Sequence, residues 1–190
     1  MASTEIYIVN RRRNTDGIRE EYPGYFIVDV TSKGILPWRK FSPFYPHGNI
    51  PVPFSPGVVG KSVEGIWQAL KVFEHSDIDL SKLDISDMKG IKRTCRKFGR
   101  VLGHRKGIGG DVLLGYLDAR LEIYIPCYQF ILDNYLQEEI ELLRQSISKE
   151  GIVLLDYEIN LNIEDLSMPL SHASLIANYL KGRLGSGSRN

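Results

Sequence analysis

The chain has 190 residues, of which 43% are hydrophobic and 25% are charged, with a net charge of +1. This is the composition of an ordinary globular protein with a sizeable core. The near-zero charge excludes a global field that recruits nucleic acid or membranes, so any such attraction must be local. No apolar run approaches the roughly 20 residues that span a bilayer, and the N-terminus lacks the order of a signal peptide. We therefore expect a cytoplasmic protein with no membrane partner.

The chain contains no recognisable metal-ligand pattern. Cys95 and Cys127 form no CxxC motif and have no histidine pair nearby, which argues against a zinc site or a disulfide scaffold. The four histidines are scattered, and no two of them have metal-ligand spacing. We predict no metal and no cofactor.

Two strands are predicted near the N-terminus, at residues 5–10 (EIYIVN) and 25–31 (YFIVDVT), because both runs are β-branched and aromatic. The segment between them is expected to be a polar connection. Residues 36–60 hold most of the prolines, which excludes a regular helix, and predict a structured loop with short edge strands near 50–54. A long loop within a compact domain is more often functional than decorative.

The middle of the chain is predicted to be helical. Ser62 is a candidate N-cap, residues 88–99 form a basic helix, and residues 113–149 are broadly helical, with Pro126 kinking or ending one helix. A strand at 152–156 and an amphipathic helix at 171–183 follow. The prediction is an α+β fold, mostly helical with a small β-sheet, as a single domain over residues 1–184 with a flexible tail at 185–190.

The helix that starts at Ser62 carries the most informative pattern. At helical spacing its apolar side chains share one face: Val63, Ile66, Leu70 and Phe73. Glu64, Gln68 and Lys71 follow i, i+4, i+7 spacing on another face, with Trp67 at the boundary between the two. This stripe is either a solvated face that stabilises the helix or a reactive face next to the aromatic loop.

A second signal is electrostatic. Residues 89–106 contain eight lysines or arginines and no acid. Lys89, Arg93, Arg96 and Arg100 would share one helical face, which suits a phosphate-bearing ligand, although a solvated basic face gives the same pattern. The glycine-rich segment 103–110 (GHRKGIGG) offers backbone amides to an anion, but it is not a Walker motif.

Two segments resemble the NADAR family of NAD- and ADP-ribose-associated domains. Residues 41–46 (FSPFYP) are similar to the family's "FSNFYPS"-like loop, and residues 62–73 (SVEGIWQALKVF) to its "SVEHYYQAQKF"-like helix. The resemblance extends less specifically over residues 38–183, including Gly99-Arg100, and leaves the strands within residues 1–35 outside the match. The chain departs from the family at Gly65 and Ile66, and it has no late "D..WGxG" segment.

The resemblance implies an N-glycosidase, a hydrolase that cleaves a ribosyl N-glycosidic bond, with ADP-ribose on a guanine base of nucleic acid as the first implied substrate. A ribosylated nucleotide-like metabolite is the second implied substrate. The family's catalytic pair falls on Glu64, which stabilises positive charge on the sugar, and Lys71, which forms a Schiff base with its C1 aldehyde. The implied substrate-binding residues are Ser42, Phe44, Tyr45, Trp67, Gln68 and Arg100.

Two other functional classes stay open. One is a non-catalytic module that binds ADP-ribose or a similar ligand, which the absence of the late motif favours. The other is a purely interacting protein whose basic segment docks on an acidic partner. The sequence leaves the oligomeric state open.

Overall fold

A computed structural model describes residues 5–184. About 38% of the chain is helix and 17% is strand, in small sheets, which confirms the α+β class. The chain divides into two compact units. The first, the sheet unit, runs from the N-terminus to Ser42 and resumes at Leu132; the second, the inserted unit, is Pro43–Ile131. The single domain over residues 1–184 stays a prediction, and the tail expected at 185–190 lies outside the described residues.

The secondary structure alternates between short strands and helices. The strands are β1 (Ile6–Asn10), β2 (Phe26–Asp29), β3 (Ile50–Pro51), β4 (Val59–Gly60), β5 (Lys71–Phe73), β6 (Val101–Arg105), β7 (Leu113–Leu114) and β8 (Ile152–Asp156). The α-helices are α1 (Thr15–Glu21), α2 (Val63–Leu70), α3 (Cys95–Phe98), α4 (Tyr116–Ala119), α5 (Ile125–Asn134), α6 (Gln137–Lys149) and α7 (His172–Leu180). Two 3-10 segments, Trp38–Phe41 and Leu80–Asp84, and a π-helical turn, Arg120–Tyr124, complete the set.

The sheet unit is organised around β8. This strand lies between β1 and β2 and is parallel to both. All five of its residues are buried, as expected for a central strand of a parallel sheet whose faces are covered by helices. Helices α6 and α7 pack against it. The predicted strands at 5–10, 25–31 and 152–156 and the predicted helix at 171–183 are therefore confirmed.

A helix within the expected polar connection was missed. Helix α1 begins after Asn14, whose side-chain oxygen accepts hydrogen bonds from the amides of Asp16 and Gly17, at 2.8 and 3.1 Å. Its single buried side chain is Ile18, which joins a small core with Val9 and β8. Seven residues with one apolar anchor give little periodicity, so the capping asparagine was the only signal.

An ion pair is buried at the C-terminal end of β8. Asp156 Oδ2 lies 3.0 Å from His172 Nδ1 and also accepts a hydrogen bond from the Ser171 hydroxyl at 2.7 Å. The other ring nitrogen, Nε2, lies 2.9 Å from the carbonyl oxygen of Val30. Burial favours the neutral form of both groups, but their mutual attraction outweighs it. The pKa of Asp156 is lowered to about 2 and that of His172 is raised.

The inserted unit contains the loop and the helices that carry the predicted site. Strands β3 and β4 form an antiparallel pair, which confirms short strands within the proline-rich loop. Strands β5, β6 and β7 form a second antiparallel sheet. The predicted basic helix over 88–99 is wrong, because only Cys95–Phe98 is helical. The predicted helical region over 113–149 holds, except that Leu113–Leu114 is a strand and the chain is non-helical at residues 135–136.

Pro126 neither ends nor breaks its helix. Helices α4 and α5 run into one another through the π-helical turn Arg120–Tyr124. Proline has no amide hydrogen to donate to the carbonyl four residues earlier, so the regular α-helical ladder is interrupted at this point. Tyr124 lies in this π-helical turn and belongs to the group of aromatic side chains around Trp67 that is described below.

In the part of the chain that the structure describes, no helix is both long enough and apolar enough to cross a membrane.

Candidate active site

Helix α2 is buried along its whole length. Ser62 caps it, accepting a hydrogen bond from the amide of Gly65 at 3.0 Å, so the predicted start is confirmed. The polar stripe does not face solvent: Glu64 and Gln68 are 8% and 4% exposed. The interpretation of this stripe as a solvated face is therefore wrong for both residues. A buried carboxylate and a buried amide require partners inside the protein.

Those partners connect Glu64 to the following segment of chain. Gln68 Nε2 donates to Glu64 Oε1 at 2.9 Å, as i, i+4 spacing allows. Gln68 Oε1 in turn accepts the backbone amide of Arg93 at 3.0 Å. The side-chain amide thus holds the carboxylate in one orientation and is itself held from the other side.

Gly65 explains one departure from the NADAR pattern. A Cβ added to this glycine would lie 2.6 Å from the carbonyl oxygen of Lys82 and 2.9 Å from Ser62 Oγ. The 3-10 segment Leu80–Asp84 packs directly on α2 at this point. A larger residue after the motif glutamate is therefore incompatible with this packing.

Lys71 is not on the helix. Helix α2 ends at Leu70, and Lys71 has extended backbone angles (φ −71°, ψ 132°) as the first residue of β5. The guanidinium of Arg93 donates to the carbonyls of Gln68 and Lys71, at 3.2 and 2.5 Å. It thereby satisfies the carbonyl of Gln68, which lies in the last turn of the helix and has no intrahelical partner, and the carbonyl of Lys71, which follows the helix. The prediction that Lys71 continues the helical stripe is wrong, and Arg93, predicted as a phosphate contact, is a buried structural residue.

The strand position places Lys71 beside His104. The two residues are register partners in the antiparallel β5–β6 pair, so their side chains lie on the same face of the sheet. His104 is 1% exposed, and its ring packs on Trp67 with a centroid distance of 3.7 Å. Lys71 Nζ lies 5.7 Å from the centroid of the Trp67 ring.

A cavity of about 500 Å³ opens at this point of the inserted unit, a volume within the range of small-molecule sites. Its described lining is aromatic and aliphatic apart from one lysine and one histidine: Trp67, Lys71, Val101, Leu102, Gly103, His104 and Tyr116. Tyr116 and Tyr124 lie 6.0 and 5.6 Å from Trp67, between ring centroids. The cavity thus combines an aromatic wall with an amine.

The surroundings of Lys71 lower the pKa of its amine. Burial lowers its pKa, while the charges of Glu64 and Cys95 act in the opposite direction. The positive charges of Lys92 and Arg93 lower it further. The net shift is downward, which increases the fraction of free amine near neutral pH and with it the nucleophilicity of the side chain.

His104 is neutral. Burial, together with the charge of Lys71, lowers its pKa to about 3. Within residues 5–184, neither of its ring nitrogens has a hydrogen-bond partner. Leaving a buried polar atom unsatisfied costs roughly 1–3 kcal/mol, so this ring is an unusual component of a cavity wall.

The structure brings together four of the eight predicted site residues: Glu64, Trp67, Gln68 and Lys71. The described cavity lining includes Trp67 and Lys71 but not Glu64 or Gln68, and it includes none of the other four. Arg100 has a side chain 78% exposed and pairs with Glu74, with 3.3 Å between Nη2 and Oε1. Phe44 lies under the Lys92 ammonium, which is 5.4 Å from its ring centroid, and Tyr45 packs on His47.

Ser42 belongs to the sheet unit. It is buried and follows the 3-10 segment Trp38–Phe41, where its amide donates to the carbonyl of Arg39 at 3.1 Å.

The predicted basic stripe does not form. Because residues 89–94 are not helical, Lys89, Arg93, Arg96 and Arg100 do not share a helical face. In the glycine-rich segment 103–110, Arg105 pairs with Asp77 and Lys106 with Glu122, each at 2.7 Å. These cations are neutralised by carboxylates in the described structure.

Sequence reasoning missed His104 and Tyr116. His104 lies 33 residues beyond Lys71 in the sequence, and only the strand register brings the two together. Tyr116 begins a helix that was predicted without a functional role. No group of three or more histidine, cysteine, aspartate or glutamate side chains that could hold a metal is found among the described residues.

The fold and the site define an α+β protein with a buried carboxylate–amide pair next to an aromatic cavity that contains one lysine. Residues 10–176 match the family of unknown function DUF6939, so the chain belongs to that family. The search of the curated proteins finds no match.

Proposed function

We propose that this protein is an N-glycosidase that cleaves a ribosyl N-glycosidic bond through Lys71. The observation that carries the proposal is the position of this lysine. Its amine lines a cavity of ligand size beside Trp67, and its pKa is lowered by burial. The resemblance of residues 41–46 and 62–73 to the NADAR family supplies the reaction class.

The chemistry requires a neutral amine and an open-chain sugar with an electrophilic C1. Opening the ribose ring breaks the C1–O4 bond: the N–H proton of the attached base nitrogen passes to O4, and C1 is left as an imine to that nitrogen. The Lys71 amine adds to C1, and the C1–N bond to the base then breaks as the base leaves with a proton. Water hydrolyses the resulting lysine imine, which releases the sugar and regenerates the amine. The net reaction consumes one water molecule and no redox equivalent.

Glu64 is proposed to stabilise the positive charge that develops at C1 during these reaction steps. Its carboxylate is held by Gln68 Nε2, and its negative charge acts on the Lys71 amine. A fixed carboxylate in a water-poor environment stabilises an iminium or oxocarbenium centre more than an exposed one does. Gln68 is accordingly proposed as the residue that positions Glu64.

Trp67 and Tyr116 are proposed to frame the sugar and its base. Aromatic walls provide apolar contact area together with a defined orientation for a planar ligand. Phe44, Tyr45 and Arg100 stay as proposed contacts for the more distant parts of a larger substrate, since they lie outside the described lining. The role of Ser42 in substrate binding stays what the family resemblance implies.

The preferred substrate is a guanine base of nucleic acid that carries ADP-ribose, and a ribosylated nucleotide-like metabolite is the second choice. The exocyclic amine of guanine retains a hydrogen after ribosylation, so the ring-opening step is available to it. We also propose that the reaction takes place in the cytoplasm.

The direct test is incubation of the full chain with ADP-ribosylated guanine DNA and, separately, with pyrimidines that carry a phosphoribosyl group on an exocyclic amine, with products detected by mass. Release of ADP-ribose or a ribose phosphate is expected from the wild type. Lys71→Ala is expected to reduce the rate by at least about 100-fold. Lys71→Arg, which keeps the charge but forms no stable imine, should be equally inactive.

Other outcomes would contradict the proposal. Equal turnover by Lys71→Ala and the wild type would exclude the lysine mechanism. If neither substrate is cleaved, but ADP-ribose raises the melting temperature of the wild type, the cavity belongs to a binding module.

A further inference from the structure

We infer that His104 determines the specificity of this cavity by binding the 2′-hydroxyl of a ribosyl group held at Lys71. His104 would thus distinguish ribosyl from 2′-deoxyribosyl substrates. The inference rests on the proposed function, because it uses the position of the sugar that the Lys71 chemistry requires. It assigns a role to a residue that neither the sequence pattern nor the family resemblance singled out.

The first argument is the hydrogen-bonding state of the ring. His104 is 1% exposed, lines the cavity, and has no hydrogen-bond partner at either nitrogen among the described residues. Buried polar side chains normally have such partners. Because His104 lines the cavity, a bound ligand is the inferred source of these partners.

The second argument is the chemistry that this ring recognises. Because burial and the charge of Lys71 keep the imidazole neutral, it carries one donor and one acceptor. A hydroxyl group also donates and accepts. A phosphate or carboxylate only accepts, and so matches a neutral ring less completely. The ring is therefore suited to an uncharged hydroxyl.

The third argument is position. Lys71 and His104 are direct register partners in the β5–β6 pair, which places their Cβ atoms about 5 Å apart on one face. When Lys71 is bonded to C1 of a ribose, the 2′-hydroxyl is carried by the adjacent carbon. The Lys71 ammonium and the His104 ring both lie against Trp67, so the cross-strand neighbour of the lysine lies on the side of the cavity where that hydroxyl would be held.

The fourth argument excludes stacking of the base between His104 and Trp67. The His104 and Trp67 rings are in contact, at a centroid distance of 3.7 Å. No base can stack between them, since a stacked base would itself require about that separation from each ring. The base can therefore stack only on a surface of Trp67 that does not face His104.

The test traps the sugar on the enzyme without relying on turnover. The full chain is mixed with ribose 5-phosphate or 2-deoxyribose 5-phosphate, reduced with borohydride, and the Lys71 adduct is measured by peptide mass. Both sugars are also trapped on Nα-acetyl-lysine. The adduct yield of each sugar on the protein is divided by its yield on this free lysine, which corrects for the different aldehyde reactivities of the two sugars. The wild type is expected to favour ribose at least about tenfold after this correction, because a site that hydrogen-bonds a hydroxyl rejects the analogue without it.

Variants then assign the preference to His104. His104→Phe keeps an aromatic ring against Trp67 but has no polar atom, and it is expected to bring the corrected ratio close to one. His104→Gln, which keeps a donor and an acceptor, should retain part of the preference. His75→Phe changes an exposed histidine outside the described lining and should leave the ratio unchanged.

The outcomes separate this inference from the function on which it rests. No adduct from either sugar would overturn the lysine mechanism and the inference with it. Adducts formed equally by both sugars on the wild type would overturn the inference alone. The inference also fails if His104→Phe forms adducts and still prefers ribose as strongly as the wild type does.

Discussion

Lys71 and His104 face each other across strands β5 and β6, and the charge of the lysine contributes to the low pKa of the histidine. Burial is the larger cause of that low pKa. The two side chains therefore share one electrostatic environment, in which a charge on either residue opposes a charge on the other.

This coupling predicts the titration of a Lys71→Met variant. Removing the positive charge should raise the pKa of His104 from about 3, while burial keeps it below its ordinary value. The pKa is read from the imidazole proton signals by NMR. Lys92→Met is the matched control, because the charge of Lys92 lowers the pKa of Lys71 but is not a cause of the low pKa of His104. An unchanged His104 pKa in Lys71→Met would show that the two side chains are not neighbours.

A second prediction concerns the carboxylate next to Lys71. The negative charge of Glu64 raises the pKa of the amine against the larger effect of burial. Glu64→Gln should therefore lower the pKa of Lys71 still further, so that half-maximal reductive trapping with an aldehyde occurs at lower pH than in the wild type. The same variant is expected to turn over more slowly, since the positive charge at C1 loses its stabilising partner. A pH midpoint that moves upward would contradict the assigned interaction.

A third prediction tests the packing of helix α2. In Gly65→Ala the new methyl group meets the carbonyl oxygen of Lys82 at 2.6 Å, and a backbone atom cannot move aside easily. We expect the free energy of unfolding to fall by about 1–3 kcal/mol, as measured by urea denaturation. Gly109→Ala is the control within the same unit, because a Cβ there meets nothing within 4 Å, and its free energy of unfolding should change little. Equal stability of both variants would contradict the close approach.

The buried ion pair of the sheet unit predicts how stability depends on pH. The pKa of His172 is raised above its ordinary value of 6.5, so its contribution is complete below about pH 6.5 and is lost as the pH rises through the raised value. The pKa of Asp156 is lowered from 3.8 to about 2, so its contribution is complete above about pH 4 and is lost as the pH falls towards 2. The contribution of the pair should therefore be largest between about pH 4 and pH 6.5.

His172→Leu measures that contribution. Removing one partner leaves a buried carboxylate without its counter-charge, so we expect a loss of about 3–5 kcal/mol in the free energy of unfolding near pH 6. The difference from the wild type should shrink towards alkaline and strongly acidic pH. His75→Leu, at an exposed position, provides the control. A difference that grows above pH 7 would contradict the sign of the His172 shift.

The elements of the fold that local sequence determines were predictable. The apolar runs of β1, β2 and β8, the serine that caps α2 and the i, i+4 pair of Glu64 and Gln68 all depend on neighbours within a few residues. Helix α1 was not predicted, because a capping asparagine and one buried isoleucine give little periodic signal.

The parts of the site that were not predictable depend on distant segments. Lys71 fits a helical stripe, but the helix ends before it, and Arg93, 22 residues later in the sequence, binds the carbonyls at that end. The residues around Arg93 have the composition of a basic helix, yet residues 88–94 are not helical, and Arg93 binds α2 and β5 through its amide and its guanidinium. The place of His104 follows only from the register between two strands.

The central claim is that Lys71 forms a covalent bond with the sugar during turnover. The most direct measurement is borohydride reduction of the full chain while it acts on ADP-ribosylated guanine DNA, followed by peptide mapping of the adduct. The proposed mechanism predicts a reduced ribosyl adduct on Lys71 and none on Lys92, the nearby lysine that lies outside the described lining. Product release without any lysine adduct, or an adduct confined to another lysine, would contradict it.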